Sequence, residues 1–474
     1  MIKFYTEYAA KWEKALSSSG ILEKELEVNE YENAILLPLR QRKDSPVAAT
    51  DGYHEGGVCT EDHTFLAGLD RKWPRKESNF GCIRAYIPET TKYRDETVIF
   101  GGVIINLFGH TLVDSLGRMW YFAKNPDTPY KFVFLMMSGQ EGFCKDFFHL
   151  AGLTEDRYEI ITEPTQFKKV IIPEQAMYSL SHTAHKDWLL FFDKIKETVR
   201  KNYKKPTFDK VYLTRTQLPQ DTLFEVNEEF FEAFYRKQGY TIVAPEKLPL
   251  AEQVNILMHA TSVVTTMGTL SHAAVFTEGN ADCTFLMRTP SEVIRPQLII
   301  DMLKGYPSAY VQATKEILPS PHSRGVPLYF PTEYFLQHLA DKAISYDPAD
   351  VQMEISQVLE TYIWKYMRNY REPENYRRIA NHTAFDFINA MSYALCGEHL
   401  DKKKYQKPKI VVENEELRKE NPSIVVQNEK LKEENQKLKK ELAKSKKEIE
   451  KIKKSTSWKI TKPIRLLAKL FRKK

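Results

Sequence analysis

The sequence predicts an α/β protein built from two doubly wound domains in tandem, and three observations carry that expectation. From residue 97 onward, apolar β-rich runs alternate with amphipathic helical stretches, the pattern left by βαβ units and parallel sheets. The series stops near Pro206 and a second one starts at once. At 474 residues and 42% hydrophobic content, the chain can bury two cores and still carry an appendage.

Residues 1–95 are rich in turns, as in DGYHEGG and RKWPRKESNFG, and yield no strand order. TVIFGGVII then reads as a strand, LFGHTLVDSLGRMWYFAKN as a helix, KFVFLMM as a strand and GFCKDFFHLAGL as a helix. YEIIT and KKVIIP are further strands, followed by the amphipathic helix HKDWLLFFDKIKETVRKNY. These stretches define a first domain at residues 1–205. In the second, at 206–330, KVYLTR, YTIVAP, TSVVTT and DCTFLM are strands. They alternate with helices in NEEFFEAFYRKQG, capped by Gly239, PLAEQVNILMHA, opened by Pro249, and TLSHAAVFTEG. Closing helices are expected at 331–405. Open α/β sheets bind ligands beyond the carboxyl ends of their strands, which places a site between the two domains.

Charge and cysteine content narrow the class. Residues 428–474 hold 18 Lys and Arg against 6 Glu, a surplus of +12 that leaves the rest of the chain at −6 within the total of +6. The five cysteines are scattered, without metal-knuckle or CxxC spacing, as expected of buried thiols in a reducing compartment. The N-terminus lacks a signal-peptide core, and no run approaches ~18 apolar residues. The expectation is a cytoplasmic protein. Aromatic content of 12% excludes a largely disordered chain.

Three constellations could carry chemistry. In GGVIINLFGHTLVDSLGRMW, His110, Asp114 and Arg118 recur at helical spacing on one face, with Gly109 allowing close backbone approach. His110 and Asp114 form a candidate catalytic pair, a base near an acceptor hydroxyl, and Gly109 and Arg118 border the acceptor. In VYLTRTQLPQDTLFEVNEEF, Arg215 stands at a strand's carboxyl end, where a guanidinium can meet a diphosphate, and Asn227 suits a helix N-cap. In the third, Glu246 follows a strand, Glu252 lies in a first helical turn, and Gly268, Thr269, Ser271 and His272 form a strand-to-helix turn able to face a phosphate.

Taken together, these segments resemble the family 61 glycosyltransferases of capsular polysaccharide biosynthesis. The likeness rests on GH-x-x-x-D-x-L-x-R, on Thr-Arg at 214–215, on Asn-Glu at 227–228 and on the run from GYTIVAPEKLPLAEQV to MGTLSHAAVF, over roughly residues 97–290. The resemblance implies a GT-B type fold of two Rossmann-like domains, inverting transfer, a nucleotide-sugar donor (UDP-linked), and no metal or other cofactor. It places the donor at Arg215, Asn227, Glu246, Glu252 and Gly268 to His272, and acceptor chemistry at His110 and Asp114. The chain departs from the family pattern at Gly117, where proline is usual, and at His272, where asparagine is common. It also lacks a second arginine between Arg215 and Asn227.

The remaining chain reads as an assembly device. From Leu417 to Ile452, positions alternate by four and three, a heptad register with Asn421, Asn428 and Asn435 at a, and predict a parallel homodimeric coiled coil at 410–454. Residues 455–474 hold seven basic residues and no acids, and Ile464, Leu467, Ala468 and Phe471 share one helical face. That segment suits an anionic membrane surface, and no nucleic-acid module accompanies it. The expectation is a peripheral enzyme at the inner face of the cell membrane, acting on a glycan or lipid-linked acceptor in bacterial surface polysaccharide synthesis. A polyol-phosphate or other nucleotide-activated group transferase, and a noncatalytic scaffold, are the alternatives.

Overall fold

Valine, isoleucine and phenylalanine crowd the strands of this chain because both faces of its sheets pack into apolar clusters. The computed structural model describes residues 1–41, 53–66, 81–82, 85–137, 141–219, 225–315, 326–353 and 355–369. The chain divides into two units, Met1–Glu354 and Ile355–Lys474. The second contains the helix Ile355–Asn369. The expected coiled coil at 410–454, the basic segment at 455–474 and the remaining closing helices lie outside the described residues.

The first unit opens with β1 (Ile2–Tyr5) and α1 (Ala9–Ser17). One sheet then forms from β2 (Ile35–Gln41), β3 (Tyr53–Cys59), β4 (Lys92–Ile104), β5 (Lys131–Met136), β6 (Tyr158–Ile160) and β7 (Thr165–Pro173), with short strands at its margins. Strands β4 to β7 run parallel to one another, whereas β2 and β3 are antiparallel. Helices α2 (Phe143–Ala151) and α3 (Leu189–Asn202) follow from this half.

A second sheet takes β8 (Lys210–Leu213), β9 (Thr241–Val243), β10 (Ser262–Thr266), β11 (Asp282–Met287) and β12 (Ser308–Gln312). Its connecting helices include α4 (Glu228–Lys237), α5 (Leu250–His259) and α6 (Arg295–Lys304). The strand order is β1-β12-β11-β10-β8-β9, every pair parallel. So β1, expected within the first domain, belongs to the second sheet. It is held there by ladder bonds to β12 and by Trp12, whose Nε1 donates to Pro290 O at 3.0 Å.

The two sheets share one apolar core. Phe147 of α2 stacks on Phe276 at 6.2 Å between centroids, and Phe192 of α3 meets Phe276 edge-on at 5.5 Å. All three rings are buried, each contributing about 1.5–3 kcal/mol by removal from water. This contact ties α2 and α3 to the segment that follows β10.

The helix expected through His110 and Arg118 is broken. One turn at Phe108–His110 gives way to a π-helical turn at Thr111–Ser115, and regular helix resumes at Trp120–Lys124. The cause is competition from side chains: Thr111 Oγ1 donates to Ile105 O at 3.0 Å and Ser115 Oγ accepts from Ile105 N at 2.9 Å, tying the turn to the strand end. Such π-turns recur at functional sites. Gly117 closes the turn, and a methyl group there would lie 2.4 Å from Met177 O. The departure from proline at this position is therefore matched by the chain segment packed on it.

Candidate active site

At the carboxyl end of β4, Asp114 is buried and its two oxygens divide their work. Oδ2 lies 2.7 Å from His110 Nδ1, and Oδ1 accepts from Ser179 N at 2.8 Å. The His110 side chain keeps 30% of its surface exposed, so a fixed, buried carboxylate orients a ring that reaches solvent. Arg118, expected on the same face, instead turns inward. It is buried, donates to Gln175 Oε1 at 2.9 Å and lies over Phe100, and Gln175 Nε2 in turn donates to Asp114 O at 3.0 Å. Its place is beneath the pair, which it braces through Gln175.

The opposing elements lie at the carboxyl ends of β8, β10 and β11. Arg215 follows β8 and Arg288 follows β11, and both direct Nε at buried Glu225 Oε1, at 3.0 and 2.8 Å. The N–H vectors do not aim at that oxygen, so these are ion pairs without hydrogen bonds and the Nε donors remain unspent. Two cations share one carboxylate, which leaves positive charge for an anion. Gly268 follows β10 at φ +126°, a conformation open to glycine, and a methyl group there would sit 3.1 Å from Arg288 Nη1.

The Gly268 turn differs from the expected phosphate cradle. Ser271 is fully buried, and its hydroxyl accepts from Gly268 N at 3.3 Å and donates to Gly268 O at 2.8 Å, so both groups are consumed inside the turn. The following helix is a 3-10 segment, Ser271–Phe276. Asn227 does not cap α4; it takes a left-handed conformation (φ 69°) and its Nδ2 donates to Tyr329 O at 3.0 Å. Glu246 and Glu252 are exposed. They stand beside Pro245 and Gln253, which line a shallow, mostly apolar recess with Leu213, Val243, Ile256, Leu257, Leu270 and Ala273.

The two halves meet at Gly109 and Thr269. A methyl group on Gly109 would lie 3.1 Å from Thr269 Oγ1 and 3.3 Å from its Cα, a close approach that glycine permits. His272, one turn further on, feels the charges of His110 and Asp114. Burial pushes its pKa down to about 4, so its ring is neutral. Arg288 reaches the same turn at Gly268, and Arg215 is joined to Arg288 through Glu225.

Sequence reasoning missed Arg288, Glu225 and Glu228. Arg288 carried the same signal as Arg215, a cation just past an apolar strand. Glu228 is buried with Oε1 accepting from Arg215 N at 3.2 Å; burial, then the neighbouring Glu225, pushes its pKa up to about 8. Nothing in the local pattern distinguishes these two glutamates from solvated ones. Among the described residues, no group of three or more His, Cys, Asp or Glu could hold a metal ion, and no helix is long and apolar enough to cross a membrane.

Residues 108–294 match the glycosyltransferase 61 family. The match identifies this stretch as that of a glycosyltransferase, and it takes in both the His110–Asp114 pair and the Arg215–Glu225–Arg288 cluster. No curated protein matches the chain. Among solved structures, the dodecameric iron-containing heptosyltransferase TibC, in complex with ADP-D-β-D-heptose, is similar over 57% of this chain and 80% of its own. The identity is 11% and the TM-score 0.24.

Proposed function

We propose that this glycosyltransferase moves a sugar from a nucleoside-diphosphate donor, UDP-linked, to a glycan or lipid-linked acceptor, with inversion. One observation carries the reading: Arg288, which shares Glu225 with Arg215, reaches the Gly268 turn, and Thr269 of that turn packs against Gly109 beside His110, while both guanidinium groups keep an unspent Nε donor. The acceptor hydroxyl gives its proton to the His110 ring as its oxygen bonds to the anomeric carbon. Asp114 holds Nδ1 and favours the imidazolium that forms. The bond from the anomeric carbon to the diphosphate breaks in the same step, and Arg215 and Arg288 receive the negative charge that develops there. Such a pair of lobes acting across one site corresponds to a GT-B enzyme working without a metal.

The heptad register and the basic terminal segment extend the proposal to a homodimer held at an anionic membrane, where lipid-linked acceptors of bacterial surface polysaccharides reside. Incubation with nucleotide sugars and an acceptor tests the chemistry. Release of nucleoside diphosphate with an inverted product supports it, whereas release of the monophosphate, or of nothing, sinks it. Deletion of residues 455–474 should move the protein from the membrane to the soluble fraction.

A further inference from the structure

Asp301 is buried to 1% exposure without a cation beside it, an expensive arrangement unless donors surround it. They do. Oδ1 accepts from Gln297 Nε2 at 2.9 Å and from Tyr306 OH at 2.8 Å, and Oδ2 accepts from Tyr310 OH at 2.8 Å. A carboxylate only accepts, so the Gln297 amide must turn its NH2 toward Asp301 and its carbonyl away. That carbonyl, Oε1, lies 2.9 Å from His272 Nδ1. A carbonyl also only accepts, so Nδ1 must carry the ring's proton. The neutral ring then has a bare lone pair on Nε2, for which no hydrogen-bond partner stands among the described residues.

We propose that the Asp301–Gln297 relay fixes His272 as the Nδ1–H tautomer, whose Nε2 accepts a hydrogen bond from a sugar hydroxyl and takes no part in gripping the diphosphate. The inference rests on the glycosyl-transfer reading. Nε2 and a phosphate oxygen are both acceptors and repel at hydrogen-bond distance, whereas a hydroxyl supplies the missing proton. The position is right for a sugar ring: His272 lies one turn past Thr269, which touches Gly109, and it is close enough to His110 and Asp114 to feel their charges. Asp301, Tyr306 and Tyr310 are positioning residues that act through Gln297.

The tautomer can be read without any ligand from histidine side-chain 15N resonances at neutral pH, with the His272 pair assigned as the one lost in His272→Asn. The expected spectrum has Nδ1 protonated and Nε2 bare, and Asp301→Asn, whose amide can face Gln297 either way, mixes the two tautomers. A protonated Nε2 in the wild-type protein overturns the proposal, even if Asp301→Asn fails to fold. In the binding arm, UDP, ADP, GDP and CDP are titrated with their glucose-bearing forms. His272→Leu should keep the nucleoside diphosphate Kd within about twofold and lose at least about tenfold for the nucleotide sugar. A tenfold loss for the diphosphate itself would place His272 on the phosphates and overturn the proposal. Failure of the wild-type protein to bind any nucleotide sinks the donor reading and the hydroxyl contact with it, leaving the tautomer to the spectrum.

Discussion

Glu225→Gln exposes what the arginine pair is for. The substitution keeps the shape of the side chain and removes the one negative charge shared by Arg215 and Arg288, whose Nε atoms lie 3.0 and 2.8 Å from it. At an effective dielectric of about 20, a pair of unit charges at 4 Å is worth about 4 kcal/mol, and breaking a buried pair costs about 3–5 kcal/mol. The Glu225 side chain is fully buried, whereas those of Arg215 and Arg288 keep 18% and 22% of their surface, so water recovers part of the loss. We expect a decrease of about 2–3 kcal/mol in unfolding free energy, read by urea denaturation. The second half of the experiment adds pyrophosphate. With the carboxylate gone, both guanidinium groups turn fully to the anion. Pyrophosphate at about 100 times its Kd should then restore about 2.7 kcal/mol, and its Kd should tighten relative to wild type. A stability change below about 0.5 kcal/mol, or equal stabilisation of both proteins by pyrophosphate, refutes the argument that these arginines form an anion site balanced by Glu225.

Three further outcomes follow from the geometry. His110→Ala should lower the transfer rate by about 10²–10⁴ while nucleoside diphosphate binding stays intact, and an unchanged rate removes His110 as the base. Gly109→Ala forces Thr269 to move, costs about 1–3 kcal/mol by overpacking, and should depress activity more than stability; calorimetry with an activity assay separates the two. Glu228 has a pKa of about 8 in the folded protein against an ordinary 4.5, so its contribution is full below 4.5 and is lost as pH rises through 8. Glu228→Gln, always neutral, should flatten the fall in stability between pH 5 and 9, whereas parallel denaturation curves for the two proteins would exclude a buried neutral Glu228.

Much of this arrangement was legible because it depends on local pattern. His110 and Asp114 meet because a spacing of four survives the change from α to π geometry, and Gly268 stands where a strand turns into a helix. The failures come from side-chain contacts that the pattern does not show, most of them long-range. Arg118 sits at the right spacing yet turns inward because Gln175, distant in sequence, offers it an acceptor. The hydroxyl of Ser271 is taken by its own turn, and Asn227 is drawn to the carbonyl of Tyr329 instead of its helix. Glu225 and Glu228 look like any surface pair until folding buries them between two arginines and the tyrosines of the sheet.

The position of β1 sets an order on the birth of the molecule. Its four residues are made some three hundred residues before their partner, β12. Until then the edge of the sheet has no cover, and closing so large a loop is slow. Once in place, the segment is fastened beyond its ladder: Thr6 Oγ1 donates to Gln312 Oε1 at 2.6 Å, and Arg295 Nη1 reaches Ala15 O at 3.0 Å. Loss of Ile2–Trp12 would therefore leave β12 as a naked margin inviting other chains, and would hinder maturation of the half that carries Arg215 and Arg288 far more than any change of similar size in an internal loop.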